Sequence, residues 1–535
     1  MSAQVTDQFR ISNAGNFVDS VLDTNNSYYV FLGLSNPTSP NPGFGRTDNW
    51  NTVKPLDPVD NFQYEAQYKS TGLFGKKINS TNIRRVIRKV QWTTNTAYDM
   101  YRHDYTIRNE APNSKTARLY DSNYYVINSD YNVYICLDNG AYGAWGSTTA
   151  KGNKSKDEPT FTDLEPSAAG TSDDGYIWKF LFSISPSDIV KFDSTEYIVV
   201  PNDWSTSTNS QIQNVREAAD SDINNNKIKK IYIEDGGSGY NGSQTTTVDI
   251  LGDGTGGKVS VTTIGGVISS AVVTSGGTGY TYGVIDLTPF QPTGKTSGFA
   301  KLIPIIPPSR GHGYDIYREL GAERVLIYAR FDDSTKDFPT DAKFAQVGIV
   351  KNPSTFSSKN TTFDGNQYSS LGSIKFDNSS FTTNESSSLS SNGIGSTITQ
   401  TRSDGQLAQG YLASYDKETG VLKYYQDRSL YFKNKLDQTD YVGVNTESKV
   451  STFESSNSSI VFNDGVTGDK TIQTAFSGIV TTVNTKQIDL GVTFTNGLAD
   501  PEINKTTGDV IYIDNRKLVS RDSRQKEDIK IILEF

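Results

Sequence analysis

Apolar residues along this chain gather in short runs. Residues 28–32 (YYVFL), 124–127 (YYVI), 133–137 (VYICL), 176–182 (YIWKFLF) and 197–200 (YIVV) are dense in β-branched and aromatic side chains. Short runs of that make-up, closed by turn residues such as Asn36-Pro37 and too short for helices, predict strands. Helical spacing occurs at the start, where Phe17, Val18 and Val21 follow Ser12 or Asn13 as candidate caps. It recurs at Ile83, Val86, Ile87 and Val90, with Arg84, Arg85, Arg88 and Lys89 on the opposite face. That pattern predicts an amphipathic helix.

Beyond Trp204 the segment 205–210 (STSTNS) reads as a linker, and an internal repeat follows. Residues 228–240 (IKKIYIEDGGSGY) match 268–280 (ISSAVVTSGGTGY), and each copy continues to a short strand, at 248–250 and 285–287. A third strand is expected near Val259 and near Ala300. Two such units predict a small all-β module at 217–302 whose copies bury a core against each other. Residues 303–353 are denser: Gly311-His312-Gly313 opens a short helical stretch to Leu320, and strands follow at 325–331 and 344–350 before Asn352-Pro353. From 354 to about 405 Ser, Asn and Thr dominate. A hairpin of 411–415 and 421–425 then suggests a second β-module over 354–500. The last segment, 501–535, carries strands at 510–513 and 529–533. The expected organisation is therefore a core made of 1–216, 303–353 and 501–535, with modules inserted at 217–302 and 354–500.

Composition narrows the class. Charged residues at 21% and hydrophobic ones at 35% are too polar for a membrane protein, while 30 Tyr, 25 Phe and 5 Trp are too many for a disordered chain. The abundance of Tyr, Thr, Ser, Asn and Gly favours β-structure with many turns. A net charge of −9 repels a phosphate backbone, so no nucleic-acid partner is expected. A lone Cys136 excludes an internal disulfide and fits assembly in a reducing compartment. MSAQVTDQFR lacks a basic-then-apolar signal, and no apolar run approaches the roughly 18 residues of a spanning helix. The expectation is a product made in the cytoplasm and not inserted in a membrane.

The inventory for catalysis is thin. Two histidines (His103, His312), one cysteine and two methionines leave little for metals, nucleophiles or redox work, so no enzyme, cofactor or metal site is expected. Residues 237–242 (GSGYNG) fit the dinucleotide pattern G-x-G-x-x-G, but a strand-forming stretch follows where a helix N-terminus would have to receive the pyrophosphate. Residues 252–258 (GDGTGGK) approach a P-loop, yet Val259 stands at the hydroxyl position and a strand follows again. Arg102-His103-Asp104 has no neighbouring ligand to complete a metal site, and His312 between glycines reads as a structural hydrogen-bonder. Paired carboxylates such as Asp173-Asp174 and Asp332-Asp333 are common in so acidic a chain and carry no weight. The strongest charge feature is the basic cluster Arg84, Arg85, Arg88 and Lys89, and a tyrosine-rich stretch, Tyr98, Tyr101 and Tyr105, lies close by in sequence. Both are candidate protein–protein contact surfaces.

Several segments together resemble one family. Residues 174–182 (DGYIWKFLF), leading through Ser185-Pro186 to 196–201 (EYIVVP), are similar to the D-G-Y-x-W-x-[FY]-L-F and E-Y-I-V-V-P stretches of the baseplate wedge subunit, gene product eight, of T-even-type contractile-tailed phages. Residues 344–353 (FAQVGIVKNP) and the C-terminal pattern from Gly508 through Ile511-Tyr512 and Asp514-Asn515-Arg516 to Ile531 and Phe535 agree as well. So do Phe9-Arg10 and 134–138 around Cys136. The resemblance spans about 1–205, 304–353 and 501–535, and leaves out 217–302 and most of 354–500. It implies a mainly β protein with a β-sandwich core and a few short helices, carrying two inserted all-β modules. It implies a non-enzymatic homodimer of the virion tail baseplate, assembled in the host cytoplasm. Its partners would be the other wedge proteins, gene products six, seven and ten, and it would take part in rearrangement during contraction. The competing expectation is a glycan-binding adhesin or receptor-binding tail protein that uses the inserted modules, with aromatic side chains stacked on sugars.

Overall fold

The computed structural model of the chain describes residues 5–34, 57–58, 65, 68–69, 71–220, 227–332, 343–392, 395–426, 451–463, 465–520 and 525–535. The expected turn at Asn36-Pro37 lies outside them, as does Asp333. The protein is mainly β: strands make up 42% and helices 14%, and the sheets are antiparallel. The chain divides into two compact units, one of residues 1–18, 84–326 and 532–535, the other of 19–83 and 327–531. The segments expected to form one core, 1–216 and 303–353, are thus each shared between the two.

In the first unit a three-stranded sheet runs Tyr125–Ile127, Asn132–Asn139, Tyr176–Ser183. Its aromatic side chains are wholly buried: Trp178 stacks on Tyr176 with ring centroids 5.3 Å apart, and Tyr134 and Phe180 meet edge to face. Around this core the helix Asp7–Leu22 starts earlier than Ser12 or Asn13, at Asp7. The carboxylate of Asp7 pairs with Arg118, whose guanidinium also holds the buried Glu323. Arg324, bonded to both Glu323 and Glu534, extends the network to the end of the chain, where Phe535 packs on Phe17. Two helices of this unit escaped the sequence pattern. Pro186–Phe192 has Ser185 as its cap, accepting from the Asp188 N–H, and proline in its first turn. Ser210–Asp220 begins at the end of the expected linker.

The repeat folds as two interlocked halves with their own apolar core, built on Val248, Ile250, Val259, Val261, Ile268, Tyr280 and Ile285. The first strand of each copy pairs with the third strand of the other: Ile231–Asp235 with Lys301–Pro304, and Val267–Thr278 with Thr255–Ile264. The middle strands, Gln244–Gly252 and Gly283–Ile285, pair with each other. The bonds are reciprocal. Ile228 N–H donates to the Gly276 carbonyl and Ile268 N–H to that of Gly236, while the Tyr240 and Tyr280 hydroxyls accept from Ala300 N–H and Gly257 N–H. An approximate twofold therefore relates the copies. The glycines of the two GGxGY turns occupy matching left-handed backbone, Gly237 and Gly277 at φ 65° and 62°.

In the second unit the strand Lys343–Lys351 lies between Tyr28–Gly33 and Asp509–Ser520, in a sheet that continues through Gly72–Lys77 to Gln367–Ser369. Gly348 pairs with Phe31 on one side and Ile513 on the other, and a Cβ there would overlap the Phe31 ring and the Tyr512 carbonyl. Beside it Gln346, fully buried, donates to Asn515 at 2.9 Å. Strands lying between Gly372 and Ala499 build a separate seven-stranded sheet around Ile374, Phe376, Leu412, Tyr415 and Ile460. Its helix Thr383–Asn392 opens with a reciprocal cap: Thr382 Oγ1 accepts from Glu385 N–H, and Glu385 accepts from Thr382 N–H. Among the described residues no helix is long and apolar enough to cross a membrane.

Two outcomes follow from these contacts. Gly348→Ala forces either the Phe31 ring or the strand backbone aside, and is expected to cost about 3 kcal/mol in urea unfolding of the second unit; an unchanged midpoint would contradict the packing. The Glu385 carboxylate is held down to about 2 by backbone N–H bonds from Thr467 and Thr382, opposed by desolvation and aided by Lys470. A depressed acid contributes stability that is full above its ordinary value of 4.5 and is lost as pH falls toward 2. Glu385→Gln should lower the melting temperature near neutrality, with the gap to wild type closing across that window; a gap that stays constant on acidification would refute the assignment.

Candidate contact surfaces

The expected basic helix is a strand. Ile83–Arg88 pairs antiparallel with Tyr197–Val200, setting Val86 against Val199 and Ile87 against Ile198. All four apolar positions that imitate a helical stripe are β-branched, and strand pairing overrides the spacing. The basic residues consequently do not form a free face. Arg84 pairs with Asp188 at 3.0 Å and lies over the Phe192 ring, and Lys89 bonds Asp193 at 2.7 Å, so both hold the helix Pro186–Phe192. Arg88 donates to the carbonyls of Asp121 and Ser122. Arg85 stacks 3.9 Å from the Tyr317 ring centroid.

The three tyrosines are interior residues too, each no more than 8% exposed. Tyr98 receives the Thr93 N–H on its hydroxyl and donates its own N–H to Tyr176 Oη. Tyr101 meets the His312 ring edge to face, and the Tyr105 hydroxyl donates to the Met100 carbonyl. The four half-buried cations are thus engaged within the chain and the three tyrosines are interior; charge and aromatic ring are visible in the sequence, but their internal partners are not.

The remaining motifs are structural. Gly237 and Gly239 sit in left-handed turns and lead into the strand Gln244–Gly252, so no helix N-terminus waits for a pyrophosphate. Lys258 of the P-loop-like stretch pairs with Asp249 on the adjacent strand, in the open. His103 accepts from Ile306 N–H, and burial holds its pKa below the usual value. His312 shares a 2.6 Å bond with Glu319, which also accepts from Gly313 N–H. Burial pushes the Cys136 thiol well up. Among the described residues no three His, Cys, Asp or Glu side chains converge as a metal site requires.

What the first unit does expose is a pair of aromatics on a glycine-rich loop, Tyr142 at 58% and Trp145 at 47%. The Trp145 indole donates to the Glu110 carbonyl at 3.1 Å, placing it against the loop that carries the protruding Ile107. The loop is tied down by Gly143, whose N–H and carbonyl bond Ile233 and Tyr232. The signal for it was present in the string AYGAWG, where two aromatics stand among small turn residues. A rigidly mounted, half-exposed tryptophan is the side chain most enriched at the centre of protein contacts. On the repeat module Leu251 and Val284 form an exposed cross-strand pair beside Tyr282.

No family model matches the chain, and no curated protein matches it.

Because Arg84 is spent on Asp188 and Phe192, Arg84→Ala should lower the stability of the first unit by about 1 kcal/mol and leave partner binding intact. Parallel melting and binding assays check this; lost binding at unchanged stability would restore Arg84 to the surface.

Proposed function

We propose that the chain is a non-enzymatic structural subunit of a contractile phage tail baseplate, a homodimeric wedge component that joins neighbouring wedge proteins. The observation that carries this reading is where the resemblance falls. The stretches similar to the wedge subunit supply pairing strands: Tyr176–Ser183 and Tyr197–Val200 in the first unit, Lys343–Lys351 and Asp509–Ser520 in the second. The stretches without resemblance build separate cores of their own, around Val259 and Ile268 and around Phe376 and Leu412. Similarity that falls largely on sheet-forming strands fits a shared scaffold that has acquired additional lobes. The few reactive side chains support the non-enzymatic part, since both histidines serve hydrogen bonds and the thiol is buried with a raised pKa.

A part of this kind works by holding its neighbours at fixed positions. Its rigidity comes from sheet packing, and its contacts come from large complementary faces centred on aromatic anchors. Gene products six, seven and ten of the wedge are the partners, the virion baseplate is the location, and some contacts must exchange when the tail contracts. Trp145 with Tyr142 and Ile107 is the anchor on the first unit.

The test is assembly in solution. The purified chain should run as a dimer and co-elute with its wedge partners, and Trp145→Ala should weaken that association tenfold to a hundredfold without changing the melt. A monomer that binds none of them would overturn the reading. The exposed Tyr282 and Phe299 of the repeat module suit stacking on sugar rings, the mechanism of the adhesin alternative. Strong signals on a glycan array would favour that reading instead.

A further inference from the structure

Lys179 is an interior lysine. It lies on the strand Tyr176–Ser183 opposite Ile135, is 5% exposed, and its ammonium makes a single hydrogen bond, to the Leu164 carbonyl at 2.7 Å. Among the described residues no carboxylate lies within ion-pair distance of it. Burial dominates its surroundings and lowers its pKa. An ammonium with two unused donors, removed from water, is costly unless something negative or strongly polar meets it.

Lys179 lines a small, partly open cavity of about 20 Å3, whose wall also includes Leu137, Glu165, Lys227, Lys229 and His312. A space of roughly 10–15 Å3 on this measure suffices for one water-sized particle. The charges around it do not balance. Lys229 is matched by Glu165, whose side chain is 60% exposed and screened by solvent. Glu319 is already committed to His312 and Gly313. Glu319 and Glu165 lie near enough to Lys179 to oppose the effect of burial, but among the described residues neither Lys179 nor Lys227 has a carboxylate within ion-pair distance. A water would satisfy hydrogen bonds but not the surplus positive charge.

The cavity also has a definite place in the fold. Lys179 and Leu137 belong to the three-stranded sheet, Lys227 and Lys229 lead into the repeat module, and Gly311 and His312 follow its last strand.

We propose that this cavity is a binding site for one monatomic anion of chloride size, held by Lys179 with Lys227 beside it, and that the bound ion fastens the base of the repeat module to the sheet. Binding offsets the positive charge, engages the ammonium donors and joins three segments of the unit. The site is a structural clamp within the first unit and does not depend on the wedge assignment.

The full chain is melted in sodium chloride and in sodium gluconate at equal ionic strength, near neutral pH, gluconate being too large for the cavity. At a tenfold excess of chloride over its dissociation constant, the melting temperature should stand about 2–4 °C higher in chloride. Lys179→Met should erase that difference, while Lys229→Gln, at the solvent-exposed pair with Glu165, should keep most of it. Should the Lys179 variant not fold, crystals of the wild-type chain soaked in sodium bromide give the second measurement. One anomalous peak is expected in the cavity within hydrogen-bonding reach of Lys179 Nζ. Equal melting in the two salts, a chloride effect that survives Lys179→Met, or a cavity without bromide would each overturn the site.

Discussion

The strand Lys343–Lys351 is gripped on both edges by segments from opposite ends of the sequence, Tyr28–Gly33 on one side and Asp509–Ser520 on the other. That pairing is the constraint from which the second unit follows. Neither edge can be satisfied by a local hairpin, so the sheet exists only when hundreds of residues of connecting chain have been arranged around it. The cost is a large loss of chain entropy, and the return is a sheet with little freedom to slip. Gly348 at its centre admits the Phe31 ring, and buried Gln346 donates to Asn515 across the strands, which together favour one register. The first unit is closed in an analogous way by charge. Arg118 reaches both Asp7 and Glu323, and Arg324 carries the network to Glu534. The costly place in this network is buried Glu323, whose charge goes unmatched without its arginine partners, while Asp7 and Glu534 are partly exposed and screened by solvent.

Such closure explains how additional lobes can be carried. Strands at 231–235 and 301–304 lie side by side, so the repeat module begins and ends at one place and leaves the three-stranded sheet intact. Its two halves exchange their third strands, so neither half has a complete core alone. The same logic suits a scaffold protein, in which lobes are added at the periphery while the paired strands stay constant.

Much of the strand framework was legible in the sequence because short β-branched and aromatic runs have few alternatives. Residues 197–200 and 421–425 form the expected strands residue for residue, and the expected strands at 133–137, 325–331 and 344–350 grew only at their ends. The duplicated GGxGY turns were legible because only glycine fits the left-handed backbone they adopt. The helix expected at 83–90 failed because spacing alone does not report a pairing partner more than a hundred residues away. The missed helices were marked by capping residues, Ser185-Pro186 and Thr382 with Glu385, signals that apolar periodicity does not contain. The contact residues were the least legible. A cluster of arginines is assumed to be solvated until Asp188, Asp193 and the carbonyls of 121–122 are seen to use it up. In the opposite direction, the exposed Trp145 was passed over because tryptophan is ordinarily counted toward a core.

The proposed role of this chain is that of a scaffold gripped by its neighbours. The most direct measurement is a reconstruction of the intact tail at a resolution that separates strands. It should place paired copies of the two units within the baseplate wedges, with the Trp145 loop against an adjoining protein and the repeat module directed outward. Density for the chain at the tips of receptor-binding fibres, or its absence from the particle, would contradict the account.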